Sequence, residues 1–462
     1  MGSEGGSDRR GVTRRRTLTG VGAGVAAGLA GCVGGLSGVD DSGGSGGSNG
    51  SGGSGESSGS VTMWNAYFDD PEYQPTLDWV RNQLNQQDIT LQAESFSYDD
   101  MNQKFLTGGR SGTPDALNGE LEQYSEYARA GLIEPIGDRA EQLPYYDRYV
   151  DSMMEALTYD GELWGLPVIG GGRVLFYRKD ILEKYGQDPP ETASELKRIA
   201  EMITKNEQGM NGFHITTQKG EIRVFQEYVS HLLQMSPDIY TQSNGNWSLE
   251  PSAETLGQVF KSYYADLFAE QGPSAISPDV RGAGWESNDI GYLQGNQAMI
   301  ECGNWLLGLV TDAPSEATAN DVLDNTGAVL LPHIEGAENP DGTYLAVNSL
   351  LMNSASENKD AAWETMSTIS SPEGVKRAGE GAIKFNTPPP IEGIESGIDN
   401  PDLEALNESG ETGVPLAYVN WGPVAQALYS EVQQVVYNRK SAMQAGEDLH
   451  GKWSDLTSEF EN

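Results

Sequence analysis

Aromatic rings and polar side chains stand together at points of the sequence where a strand is expected to end. Trp64, Asn65 and Tyr67 come directly after the apolar residues that begin at Val61. Tryptophan and tyrosine rings stack on apolar C–H faces. Amides and carboxylates form hydrogen bonds with hydroxyl groups. Residues of these types predict non-covalent binding of a small hydroxylated molecule.

Catalytic and metal-binding patterns do not stand out in the sequence. The four histidines (His214, His231, His333 and His450) are scattered, without His-x-x-x-His or paired-cysteine spacing. We therefore expect no metal and no cofactor. A glycoside hydrolase would need two carboxylates across one bond. Such a pair cannot be recognised here, because 68 acidic residues stand against 29 basic ones.

The formal net charge of −39 indicates which partners the chain avoids and the salt conditions to which it is adapted. So negative a chain repels nucleic acid and anionic membranes. Acidic residues are spread over the whole sequence, which we interpret as adaptation to high salt, where dense carboxylates keep a surface hydrated.

The first 60 residues predict export and anchoring. Arg14, Arg15 and Arg16 precede a short Gly/Ala-rich apolar run, which indicates a twin-arginine secretion signal over 1–31. Leu29 to Cys32 resembles a lipobox, so we expect a lipid on Cys32 that holds the protein at the outer face of the cytoplasmic membrane. The rest of 32–60 is rich in Gly and Ser and predicts a flexible tether with a span of about 30 Å.

The remaining chain alternates strand-like and helix-like patterns and is long enough for two lobes. This alternation predicts an α/β protein with a parallel, doubly wound sheet. Cys302 lies among apolar residues and is expected to be a buried, inert thiol. The predicted strands are 61–64, 89–93, 115–118 and 327–332; the predicted helices are 77–84, 98–107, 192–203, 362–369 and 424–435.

Several sequence blocks, in this order and spacing, resemble the family 1 extracellular solute-binding proteins, the group that includes maltose-binding protein. The blocks are VTMWN (61–65), TPDA (113–116), YARAGL (127–132), YDGELWGLP (159–167), FYRKD (176–180), DPPET (188–192), LQGNQAM (293–299), GNW (303–305) and SPEG (371–374).

The resemblance implies a type II periplasmic-binding-protein-like fold, with two lobes, an interlobe hinge and a ligand cleft. Lobe 1 would comprise 61–170 plus 332–382, and lobe 2 would comprise 171–331 plus 383–462. Gly170, Gly171 and Gly172 would form the hinge at the first crossing. A phosphate-binding loop is the rival interpretation of these glycines, but no Gly-Lys-Ser/Thr follows them.

The resemblance also implies a function: a monomeric binding protein, not an enzyme, that delivers a sugar to the permease subunits of an ABC importer with a cytoplasmic ATPase. Polar ligand contacts would come from Asn118, Glu120 and Glu122. Asn304 and Trp305 match the family's Gly-x-Trp block. Trp64, Asn65, Tyr67, Trp285 and Trp421 complete the predicted ligand-binding set.

Alternatives remain open for these residues and for the function. A tryptophan can instead be a core residue, and Glu120 and Glu122 can belong to a solvated acidic surface. The solute can be a polyol, glycerol phosphate or peptide rather than a sugar. A secreted glycoside hydrolase and a structural surface lipoprotein are the rivals from other classes. Sequons at Asn49, Asn246 and Asn407 mark possible glycan positions on an exported chain.

Overall fold

A computed structural model describes residues 59–159, 161–269, 274–382, 385, 388–398, 400–416 and 418–460, all of which belong to one compact unit. The predicted signal, Cys32 and the tether up to residue 58 lie outside the described residues, as does the side chain of Glu122. No helix within the described ranges is both long and apolar enough to cross a membrane.

The strands are β1 (Gly59–Trp64), β2 (Ile89–Glu94), β3 (Ala116–Glu120), β4 (Thr158–Tyr159), β5 (Glu162–Leu163), β6 (Gly165–Gly171), β7 (Val174–Arg178), β8 (Tyr240–Ser243), β9 (Asn246–Leu249), β10 (Met299–Cys302), β11 (Thr326–Leu330), β12 (Thr343–Tyr344), β13 (Ala346–Met352) and β14 (Gly413–Val414).

The helices are α1 (Gln74–Asn85), α2 (Tyr98–Gly108), α3 (Leu121–Arg129), α4 (Gly137–Ala140), α5 (Asp151–Ala156), α6 (Lys179–Lys184), α7 (Ala193–Asn206), α8 (Ile222–Met235), α9 (Ala253–Phe260), α10 (Trp285–Leu293), α11 (Glu316–Asp324), α12 (Lys359–Ile369), α13 (Pro372–Gly381), α14 (Ala405–Glu411), α15 (Trp421–Val436) and α16 (Ala442–Phe460).

Side-chain periodicity explains why several predicted helices form where expected. In α1 the residues Leu77, Val80 and Leu84 are buried on one face. Helix α7 starts with the predicted capping box, in which the Glu195 amide donates to Thr192 Oγ1 at 3.3 Å and the Glu195 carboxylate accepts from the Thr192 amide at 3.3 Å. These two helix predictions are confirmed.

The first lobe is built on a five-stranded sheet in the order β2-β1-β3-β13-β6. Strand β1 runs parallel to β2 and β3, as the βα alternation predicts, but β13 runs antiparallel to both β3 and β6. The prediction of a parallel, doubly wound sheet therefore holds for β2, β1 and β3 and is wrong at β13. The reason is that β13 enters this sheet from the second lobe, so its direction is not set by a local βαβ connection.

The second lobe contains a three-stranded sheet in the order β10-β7-β11, and both pairings are antiparallel. The chain leaves the first sheet at Gly171 and enters the second at Val174; it returns between Leu330 and Ala346. Helices α15 and α16 pack on α8 and α9 of the second lobe. The lobe boundaries at 332 and 383 stay predictions.

The crossing at Gly170–Gly172 is tightly packed. The Gly172 amide donates to Ser409 Oγ at 3.2 Å, and the next residue, Arg173, donates its amide to Thr343 Oγ1 at 3.0 Å. A Cβ at Gly172 would lie 2.2 Å from Thr343 Cγ2. Gly171 has a φ of 151°, which disfavours any side chain. Close packing thus requires glycine here, and the hinge role remains a prediction.

Candidate ligand-binding site

A narrow cavity lies where the chain crosses between the two sheets, and both lobes contribute to its walls. Its volume is about 70 Å³. The lining residues are Tyr67, Ile169, Gly170, Gly171, Gly172, Asn304, Trp305, Ala346, Asn348 and Phe385. Three predicted ligand-binding residues, Tyr67, Asn304 and Trp305, are therefore brought together beside the three predicted hinge glycines.

On the first-lobe side of the cavity, hydroxyl and amide side chains are linked by hydrogen bonds. The Tyr67 and Tyr98 hydroxyl oxygens are 3.0 Å apart, and the Tyr98 hydroxyl donates to Asn348 Oδ1. Tyr98 has a single hydroxyl proton, so it donates to either Tyr67 or Asn348 at any one time. Removal from water raises the pKa of both tyrosines, and the negative charge of Glu120 adds to the rise. Both hydroxyls therefore stay protonated at neutral pH and remain hydrogen-bond donors.

The wall on the second lobe is the half-buried indole of Trp305, which follows β10 in a short helical turn. Its Nε1 donates to Asp289 Oδ2 at 3.0 Å. The Arg173 and Arg223 guanidinium carbons lie 5.1 and 5.7 Å from the ring centroid, within cation–π range. A Cβ on Gly303 would lie 2.1 Å from the ring, so the glycine of the Gly-x-Trp block lets the indole lie against the backbone.

Other predicted contacts on the first lobe lie beside the cavity or inside the lobe. Asn65 lines a smaller adjoining cavity, and its Oδ1 accepts a hydrogen bond from the Tyr67 amide at 2.8 Å. The Trp64 indole is buried and donates to Glu94 at 2.9 Å. Asn118 is fully buried and donates to the Ser349 carbonyl at 3.3 Å, so a ligand does not reach it in this structure. Half-buried Glu120 caps α3 and faces the tyrosine pair.

Two predicted tryptophans of the second lobe do not line the cavity. Trp421 is 2% exposed and packs against Phe225 and Tyr240, with ring centroids 5.6 Å away in each case. Trp421 is therefore a core residue in this structure, and the prediction that it contacts the ligand is corrected. Trp285 is 38% exposed at the start of α10 and is absent from the lining residues. Cys302 is buried as predicted, and burial raises the pKa of its thiol.

A larger hollow of about 590 Å³ lies elsewhere, between α5–β4, the β8–β9 region and residues 414–416 and 418. None of the predicted ligand-binding residues lines it. Its rings Tyr159 and Tyr418 are already stacked on each other, with centroids 3.7 Å apart. We therefore take the crossing cavity as the candidate site.

Comparison with known proteins decides the family. The family model described as bacterial extracellular solute-binding protein matches residues 69–376, about two thirds of the chain. This protein belongs to that family. As a member of it, the protein is exported, and the family likeness stated for the sequence blocks is confirmed.

Individual relatives of this solute-binding protein are distant. A binding protein of Brucella abortus is 24% identical over 281 residues, which cover 60% of this chain and 64% of the relative. The chain thus spans less than two thirds of that relative. The arabinooligosaccharide-binding protein of Halalkalibacterium halodurans is 23% identical over 235 residues, 48% of each protein.

Solved structures agree with the two-lobed fold. The acarbose-binding GacH receptor of Streptomyces glaucescens superposes with a TM-score of 0.71 at 19% identity, covering 87% of this chain and 99% of the other. Maltose-bound MalE3 of T. maritima gives 0.70 at 18% identity, covering 86% and 99%. Identities this low show the fold alone, and the predicted two-lobed α/β class is confirmed.

A buried network of charges in this solute-binding protein fixes the Trp305 wall. Arg223, Glu227 and His231 recur every four residues along α8 and so share one face. Arg223 Nε donates to Glu227 at 2.7 Å, and its Nη1 donates to Asp289, the carboxylate that holds the Trp305 indole. His231 lies 2.9 Å from the Glu301 carboxylate.

Sequence reasoning missed Asn348 and Phe385, which line the cavity, and Tyr98 and Arg173, which contact lining residues. Tyr98 starts α2 just after β2, so the strand-end rule that pointed to Trp64 would have found it. Arg173 directly follows the predicted hinge glycines. Asn348 and Phe385 come from distant segments, and no local pattern marks them.

Glu227 provides a pH test of the network. Burial raises its pKa from 4.5 to about 7, although Arg223 opposes the rise. A raised carboxyl pKa means that the folded protein holds the proton more tightly than the unfolded chain does. The resulting stability is present below about pH 4.5 and is lost as the pH rises through about 7.

We predict that the unfolding free energy of the wild type, relative to Glu227→Gln, falls by about 2–3 kcal/mol between pH 4.5 and 8. Denaturant titrations at fixed high salt measure it. Glu254→Gln, at the exposed start of α9, is the matched control and should show no such drift. A pH-independent difference between wild type and Glu227→Gln would contradict the assignment.

Proposed function

We propose that this protein captures a neutral sugar between its lobes and passes it to the membrane permease of an ABC importer, without acting on it as an enzyme. The observation that carries the proposal is the character of the crossing cavity. Among the described residues that line it, none is charged. Rings from Tyr67, Trp305 and Phe385 stand beside the amides of Asn304 and Asn348.

This lining suits a sugar better than the charged alternatives. A sugar offers apolar C–H faces to rings and hydroxyls to amides and phenols. Glycerol phosphate or a charged peptide would need a compensating charge at the wall, since an unpaired charge out of water is costly. The Arg173 guanidinium carbon lies 5.1 Å from the Trp305 ring centroid, but Arg173 is 3% exposed and is not part of the lining.

The size of the cavity bears on the mechanism. Ligand pockets usually measure about 300–1,000 Å³, whereas this one measures about 70 Å³. A sugar therefore enters only when the lobes separate. We infer an equilibrium between open and closed forms in which the bound sugar contacts both walls and favours closure. The permease would then recognise the closed arrangement of the two lobe surfaces.

The ligands named for relatives support the sugar class. Acarbose, maltose and α-D-tagatose are bound by structural neighbours, and arabinooligosaccharide and lactose name curated relatives. These ligands range from one sugar ring to several. They support a sugar as the class of ligand, and the binding assay described below identifies the particular sugar.

The cell-surface context is part of the same proposal. The protein would leave the cell by the twin-arginine route, carry a lipid on Cys32 and act as a monomer on its tether. The net charge of −39 suits function in high salt, where short-range screening would otherwise favour association.

Binding should depend on Trp305. An indole that buries about 150 Å² against a sugar contributes up to about 4 kcal/mol. We expect Trp305→Ala to weaken binding by about 2–4 kcal/mol, roughly 30- to 1,000-fold. Calorimetry at high salt with maltose, tagatose, lactose, arabinooligosaccharides, glycerol and glycerol 3-phosphate identifies the class and measures the effect.

Trp285→Ala is the control, because this ring is exposed and lies outside the cavity lining. It should leave the affinity within about twofold. Saturable binding of glycerol 3-phosphate without binding of any sugar would overturn the sugar assignment. Equal losses in the two variants would overturn the position of the site.

The lipid anchor has a separate test. Replacing Cys32 removes the only thiol near the predicted signal, and we expect Cys32→Ala protein to appear in the medium rather than in the membrane fraction. Cys302→Ala is the control, because its thiol is buried in the folded domain, and this variant should stay with the membrane. Membrane retention of Cys32→Ala would argue against the anchor.

A further inference from the structure

Asparagine sequons are a sequence feature that the proposed function does not use. Of the three, Asn49 lies outside the described residues, whereas Asn246 and Asn407 lie within them. A glycosylating enzyme must reach both the asparagine amide and the hydroxyl two residues later. The two described sequons differ sharply in whether the fold presents these groups together.

Asn246 and Ser248 lie in a surface hairpin made of β8 and β9. The turn consists of Asn244 and Gly245, with φ values of 53° and 84°, the left-handed pair that a tight hairpin requires. In β9, Asn246 and Ser248 are exposed, whereas Trp247 and Leu249 are half-buried. Since alternate residues of a strand share a face, the Asn246 amide and the Ser248 hydroxyl point outward side by side.

Asn407 and Ser409 are arranged in the opposite way. They lie in α14, where residues two apart do not face each other. Ser409 is fully buried, and its hydroxyl donates to the Leu406 carbonyl at 2.8 Å while accepting from the Gly172 amide at 3.2 Å. Presenting this sequon would require α14 to unfold and the contact with the lobe crossing to break.

We propose that Asn246 is an N-glycosylation site and that Asn407 is not. Asn246 Nδ2 forms a bond to the anomeric carbon of an oligosaccharide carried on a lipid phosphate. The bond between that carbon and the phosphate oxygen breaks, the lipid phosphate leaves, and the amide loses one proton. If the chain crosses the membrane already folded, only a sequon that the fold exposes is modified. The Asn407 part of the inference rests on the proposed twin-arginine route, and neither part depends on which solute is bound.

Peptide mapping of the full chain, isolated from the envelope of its own cells, tests the proposal. Trypsin separates the sequons, because Asn246 lies between Arg223 and Lys261, Asn407 between Lys384 and Arg439, and Asn49 between Arg16 and Arg81. Mass spectrometry should find saccharide on the 224–261 peptide and none on the 385–439 peptide.

Variants test whether a saccharide on the 224–261 peptide depends on the Asn246 sequon. Asn246→Gln and Ser248→Ala should abolish the saccharide on this peptide, Ser248→Thr should retain it, and Asn407→Gln should leave it unchanged. Circular dichroism confirms that each variant folds. A bare 224–261 peptide in the wild type would overturn the proposal, and so would equal occupancy at Asn407.

Discussion

The buried ion pair between Arg223 and Asp289 connects the interior of the second lobe to the wall of the cleft. Arg223 lies on α8. Asp289 lies on α10 and also accepts a hydrogen bond from the Trp305 indole N–H. Both side chains are buried, so removing Arg223 would leave the Asp289 carboxylate uncompensated and cost about 3–5 kcal/mol. The orientation of the ring proposed to bind sugar is thereby tied to the folding of its lobe.

Charge is distributed in opposite ways at the surface and in the cleft. The chain as a whole is strongly acidic, yet the described lining of the crossing cavity holds only rings, amides, aliphatic groups and glycine backbone. Carboxylates therefore keep the exterior hydrated, while selection of the solute rests on shape and neutral hydrogen bonds. Two cations approach the cleft beside the Trp305 ring: Arg223 is paired with Glu227 and Asp289, whereas Arg173 donates to the neutral Gln226 side chain.

Local patterns predicted what local forces determine. Helix α7 follows from its capping box and apolar stripe, and the Gly-x-Trp block pointed to Trp305, which lines the crossing cavity. The antiparallel β13 and the position of Asn348 depend on pairing between segments more than 200 residues apart, which no local pattern encodes. Trp421 was misplaced because an aromatic residue at a helix start has the same sequence signature in a core as at a cleft.

The distance between the lobes is the most direct test of the account. Spin labels can be attached at two exposed positions, Lys104→Cys in α2 and Ser287→Cys in α10. The background carries Cys32→Ser, and its remaining cysteine, Cys302, is buried. Double electron–electron resonance then measures the distance between the two labels. We predict a broad, longer distance distribution without ligand and a narrow, shorter one with saturating sugar. An unchanged distribution while calorimetry records saturation would contradict closure of the lobes on a sugar.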